Sequence, residues 1–206
     1  MTTRGAGIAG LCLLAGIVLS AGFSARAGSS PDRLDKQIGI FERVMDHMLV
    51  ESPNLLVQSR DSVQGTYIDG YGAMFTFKVS LNSRRWDGRW GWIGGDDVHV
   101  IIVDDEDHEI LSDGELREWE LKEQERLYAD GKREIVETLR DFGEVLASLD
   151  DADRIEIRVR FRGAAYFKEN GLRKLTVSVK MSDVRGYAAG DLGADRFADR
   201  VRIEES

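Results

Sequence analysis

The chain has little of what special-purpose folds are made from. It has one cysteine and two prolines in 206 residues, which excludes a disulfide scaffold and a proline-rich linker. Only three histidines occur, and none sits in an H-E-x-x-H pattern, so a zincin site is absent. No G-x-S-x-G elbow and no Walker phosphate loop occurs either, and no cofactor is expected. Positive charge is in deficit: 28 Lys and Arg stand against 37 Asp and Glu, for a net charge of -9. A general phosphate-backbone binder needs a basic surface, so nucleic acid is not an expected partner. What is present is ordinary globular material. With 42% hydrophobic and 32% charged residues, the chain is too apolar to be disordered and too charged to be a multi-spanning membrane protein.

The first 27 residues differ from the rest. They hold no acid and two bases, Arg4 and Arg26. Between these runs a short apolar stretch from Ile8 to Leu19, and Ala25 and Ala27 form an A-x-A pattern. A charged start, a short apolar run and small residues at the end make a cleavable secretory signal. The run is shorter than the ~20 residues that cross a bilayer. A lipoprotein signal would use Cys12, but Leu11 precedes it where a small residue belongs, and most of the apolar run follows it. Cleavage after Ala27 is the expectation. It would leave residues 28–206 cysteine-free, with 26 bases, 37 acids and a net charge of -11. The expected location is therefore the periplasm or the medium, with no transmembrane segment after cleavage.

Hydrophobic spacing then predicts the elements. Leu34, Ile38, Phe41, Met45 and Met48 repeat at intervals of four and three after Pro31, which predicts an amphipathic helix ended by Pro53. Strands are predicted at 55–60, 64–68, 73–81 and 98–103. Ser112 and Glu115 fit a capping box opening a helix to about Tyr128, with a break or kink at Asp130-Gly131. A further helix carries Ile135, Leu139, Phe142, Leu146 and Leu149. Ile155, Ile157, Val159 and Phe161 alternate with charged residues, and Leu175–Met181 is their predicted antiparallel partner. The tail is predicted as short helices broken at Gly190 and an edge strand at 201–203. Grouped helices and strands predict one α+β domain over residues 28–206, a mainly antiparallel sheet with long amphipathic helices packed on it.

Charge and chemistry concentrate in three places. Residues 104–150 hold 17 acids and six bases, read as the solvated face of a helix or as a surface for a cation or basic partner. Within it, Asp104, Asp105, Asp107, His108 and Glu109 are a candidate metal site of small hydrolase type. It is not an EF-hand: a loop begun at Asp105 has Ile110 at position six and Leu116 at position twelve, where glycine and glutamate are required. His99 and His108 would need a sharp turn to share a metal. Second, Arg158, Arg160 and Arg162 share one strand face and either pair with the acidic helix across the sheet, which is the default, or receive an anionic ligand. Third, Arg84, Arg85, Trp86, Arg89, Trp90 and Trp92 lie within nine residues. Tryptophan faces stack on sugars or cations and arginines supply hydrogen bonds, so this segment is a candidate ligand site.

The stretch Tyr67-Ile68-Asp69-Gly70-Tyr71-Gly72-Ala73-Met74-Phe75 resembles a Tyr-x-x-Gly-Tyr-Gly-x-x-Phe pattern of exported bacterial proteins that have no assigned activity. The tail, with its valine-rich strand, Tyr187, Gly190 and Phe197, is similar to theirs. The resemblance implies export and no particular chemistry. Residue by residue, the glycines predict a bent strand corner that packs Tyr67 and Tyr71, or a ligand loop. The functional expectation is an exported, non-enzymatic binding domain with an envelope protein or glycan as partner. The alternative is a small metal-dependent hydrolase at 104–109.

Overall fold

A computed structural model describes residues 31–57, 59–82, 90–91, 99–102 and 108–206. Helix α1 runs Pro31–Glu51. Strands β1 (Leu55–Val57), β2 (Gln64–Ile68) and β3 (Gly72–Leu81) follow, then β4 (Trp90–Gly91), β5 (His99–Ile102) and β6 (His108–Leu111). Helix α2 runs Asp113–Phe142 into a 3-10 turn at Gly143–Leu146. After it come β7 (Arg154–Phe161), α3 (Ala165–Glu169), β8 (Lys174–Lys180), α4 (Met181–Ala188), α5 (Ala194–Ala198) and β9 (Arg202–Glu205). The chain is a mixed α+β domain whose helices pack against a largely antiparallel sheet.

That sheet has six strands in the order β1-β3-β7-β8-β9, with β2 also on β3. Both β1 and β2 pair antiparallel with one edge of β3, Val57 opposite Val79 and Gln64 opposite Thr76. Among the described residues, 59–63 therefore have only Phe77 and Lys78 opposite them, and the chain bulges out there. On its other edge β3 runs parallel to β7, from Gly72 opposite Arg154 to Val79 opposite Phe161. A parallel neighbour needs a crossover, and α2 lies within the connecting segment. Gly72 makes the start of this pair possible. Its φ is +129°, and a Cβ there would lie 2.0 Å from the Arg154 carbonyl oxygen.

Alternation sorts the residues of this sheet into two faces. Phe75, Phe77, Val79, Ile155, Ile157, Val159, Leu175, Val177 and Val179 are buried against the helices. From α1 they meet Leu34, Ile38, Phe41 and Met45, from α2 Leu127, Ile135 and Leu139, and from α4 and α5 Val184 and Phe197. Two expected core residues fall outside. Met48 is 39% exposed and Leu49 takes its place; the two flank the helical stripe on opposite sides, and spacing alone favours neither. Phe142 is 38% exposed because α2 gives way there to the tighter 3-10 turn, which changes the helical phase.

Other boundaries move as well. The expected break at Asp130-Gly131 is absent and α2 continues through it. Gly131 serves packing instead: a Cβ there would meet the Leu55 side chain at 2.5 Å, so the missing side chain lets α2 approach β1. The Ser112–Glu115 capping box forms as expected. The strand expected at 98–103 belongs to a separate sheet, β4-β5-β6. Met181 opens α4 rather than extending β8.

Candidate functional site

The face of the six-stranded sheet away from the helix layer carries a different set of side chains. Registers place them in cross-strand rows. Lys78, Arg160 and Lys174 form one row; Gln64, Thr76, Arg158, Thr176 and Glu204 form the next. Thr66, Met74, Glu156, Ser178 and Arg202 follow, and Arg154 with Lys180 lies beyond. The cations Lys78, Arg154, Arg158, Arg160, Lys174, Lys180 and Arg202 thus share a surface with two carboxylates, Glu156 and Glu204. This basic face belongs to a chain whose net charge is -9.

Both carboxylates are engaged. Glu204 pairs with Arg202. Glu156 is buried, with 6% exposure, although it sits on the open face. Its Oε2 accepts from the Tyr71 hydroxyl and its Oε1 from Arg158 Nε. Tyr71 is positioned by the β2–β3 turn, where Gly70 has a φ of +72° and the Tyr71 N–H donates to the Ile68 carbonyl at 3.0 Å. Partial burial, then the hydrogen bond and the negative charge of Glu156, push the Tyr71 hydroxyl above its ordinary pKa. The expected strand corner is therefore a hairpin turn, and one of its two tyrosines reaches across β3 to β7.

Among the described residues, no carboxylate comes within salt-bridge distance of Lys78, Arg160 or Lys174. The expected pairing of Arg158 and Arg160 with the acidic helix does not occur among the described residues, and Arg162 lies just past the end of β7. Residues of β7 two apart face the same side, and α2 packs on the opposite side. The helix instead pairs its bases locally and stays acidic, with ten acids against six bases. Arg126 pairs with Glu123 and Asp130, Arg133 with Asp130, and Lys122 with Glu118. Where α2 does reach other elements, Arg117 meets Glu169 of α3 and Lys132 meets Glu205 of β9.

A cavity of about 470 Å³ opens at the end of the basic face. Lys78, Arg158, Arg160 and Lys174 line it, together with Ser59, Ser62, Gln64 and Thr76. One wall is the 59–63 bulge, which α1 holds in place. Asp46 Oδ1 accepts from Ser62 N at 3.0 Å, Ser62 Oγ at 3.2 Å and Val63 N at 3.1 Å. The bulge also contains Asp61 at a φ of +60°.

The other sequence-predicted sites are placed less completely. Arg84, Arg85, Trp86, Arg89 and Trp92 lie outside the described residues, and Trp90 stands in β4 opposite Ile101. Asp104, Asp105 and Asp107 lie outside them too, while His108 and Glu109 begin β6. His108 is opposite Ile102 and His99 opposite Leu111, so the two histidines sit three rungs apart on the β5–β6 hairpin, roughly 10 Å along the strands. His47 faces solvent on α1 and lies 3.7 Å from Glu51. Of the basic face, the Arg158/Arg160 alternation was the one visible signal; Lys78, Lys174 and Arg202 come from strands far apart in sequence.

No protein-family model, no curated protein and no solved structure matches this chain.

Proposed function

We propose that this protein is an exported, non-enzymatic binding domain whose open sheet face docks an anionic glycan of the cell envelope. The observation that carries the reading is the segregation of charge: a row of three cations that no described carboxylate pairs, flanked by four more, on a sheet face that no described helix covers. Long cationic side chains spaced by strands about 4.8 Å apart suit repeated negative groups along an extended polymer. The signal-like residues 1–27 support export. The Arg84–Trp92 segment adds three arginines and three tryptophans to the sequence, groups suited to hydrogen-bond and stack on a glycan.

Binding of the purified protein to dextran sulfate, with uncharged dextran as control, tests this. Saturable binding that weakens with salt is expected for dextran sulfate alone. The triple variant K78Q/R160Q/K174Q should bind about tenfold weaker or worse. Equal affinity of the variant and the natural protein would reject the role of this face.

A further inference from the structure

We infer that the cavity at the end of the basic face is a discrete site for one tetrahedral oxyanion, the phosphoryl or sulfo group of an anionic ligand. The inference rests on the reading of the open face as an anion-docking surface and goes further, because it names one position on that face and the group bound there.

Three features distinguish this position from the rest of the face. First, cations from three adjacent strands line the same space: Lys78 of β3, Arg158 and Arg160 of β7, and Lys174 of β8. Elsewhere on the face, Arg202 is tied to Glu204. Second, Arg158 is pre-oriented. Its Nε donates to Glu156 Oε1, and Glu156 is in turn fixed by the Tyr71 hydroxyl. Among the described residues its terminal nitrogens have no acceptor and can meet an incoming oxygen, and a guanidinium held in one geometry loses less freedom on binding. Third, the position is concave. The 59–63 bulge, anchored on Asp46, raises a wall on an otherwise open sheet, and the Gln64 amide and the Thr76 hydroxyl offer neutral donors beside the cations.

No carboxylate is among the lining residues. Nearby, Glu156 and Asp46 already accept hydrogen bonds from the protein, and the Ser206 carboxyl accepts from the backbone N–H groups of Arg173 and Lys174. A site built this way selects compact, multiply charged oxyanions over halides, since only the former accept several charge-assisted hydrogen bonds at once.

Calorimetric titration of the purified protein with inorganic phosphate and, separately, sulfate at constant ionic strength tests this, with chloride as control. Saturable one-site binding of phosphate, sulfate or both is expected, with no response to chloride; which of the two binds tighter separates a phosphoryl from a sulfo ligand. K78Q/K174Q should bind the preferred ion about tenfold weaker or worse. K36Q/K122Q, which removes the same charge from the helix layer on the other side of the sheet, should keep the natural affinity. Equal losses in both variants would show a diffuse charge effect and overturn the site. Binding of dextran sulfate without any saturable response to either ion would overturn the site and leave the docking face standing. Absence of both would overturn the two readings together.

Discussion

On α2, a still acidic helix, bases find acids three and four residues away on the same helix. On the open sheet face, cations arrive from four strands, and only Glu156 and Glu204 stand among them. The two regions lie on opposite sides of one sheet. Local sequence supplies its own counter-charges on the helix, whereas tertiary structure assembles like charges on the sheet. The net charge of -9 reflects the acidic helix and conceals the basic face. Surface pairs at helical spacing contribute little stability each, so the acidic segment reads as a solvated helix face. An assembled basic face lowers stability by self-repulsion, and a binding partner that supplies negative charge offsets that cost.

The contrast between the faces can be broken most strongly within β7. Ile157 is fully buried on the helix side, and Ile157→Ala should lower unfolding free energy by about 2–5 kcal/mol. Arg160, three residues on and facing the other way, should change stability by less than about 0.5 kcal/mol as Arg160→Ala. Urea unfolding of both variants checks the pair, and similar losses would contradict the two-face description. Gly72→Ala attacks the β3–β7 junction that both faces share. With a φ of +129° and a Cβ 2.0 Å from the Arg154 carbonyl oxygen, a loss of about 3 kcal/mol is expected. An unchanged midpoint would show that the close approach is not required.

Smaller effects sharpen the comparison. Glu156→Gln keeps an acceptor for Tyr71 but removes the charge that holds Arg158, and should cost about 1–2 kcal/mol. Carbon-13 tyrosine spectra should show Tyr71 titrating at lower pH in this variant, because Glu156 supplies two of the influences that raise it. An unmoved titration would deny the contact. On the helix side, Glu205 accepts from Lys132 Nζ at 2.8 Å and from the Tyr128 hydroxyl at 2.7 Å. The Lys132 bond first, and the Tyr128 bond after it, hold this carboxyl below its ordinary value of 4.5 against the opposing effect of burial. Its contribution is therefore present above that value and is lost as pH falls through the lowered one. Since the side chain is 37% exposed, solvent screening keeps the effect below about 1 kcal/mol. Glu205→Gln should flatten the acid limb of melting temperature against pH, and an identical limb would remove the carboxylate from the account.

Much of the framework was legible in the sequence because it depends on local pattern. Alternation located β2, β3, β7 and β8 to within a residue or two at each end, and Ser112 with Glu115 marked the start of α2. What depended on distant neighbours was not legible. Nothing in residues 72–81 announces a parallel partner at 154–161, and so the row Lys78–Arg160–Lys174 could not be assembled from the chain order. Gly131 reads locally as a helix breaker, yet the close approach of Leu55 explains it only in the folded state. Glu156 reads as one more exposed strand charge; Tyr71, 85 residues away, is what buries it.

Lysine reactivity measures the central claim directly, because lysines lie on both sides of the sheet. Lys78 and Lys174 stand in the basic row, while Lys36 on α1 and Lys122 on α2 face solvent from the helix layer. Acetylation rates read by mass spectrometry, with and without saturating dextran sulfate, compare them in one sample. The account predicts slowed acetylation of Lys78 and Lys174 with Lys36 and Lys122 unchanged. Equal slowing at all four, or protection confined to the helix layer, would contradict it.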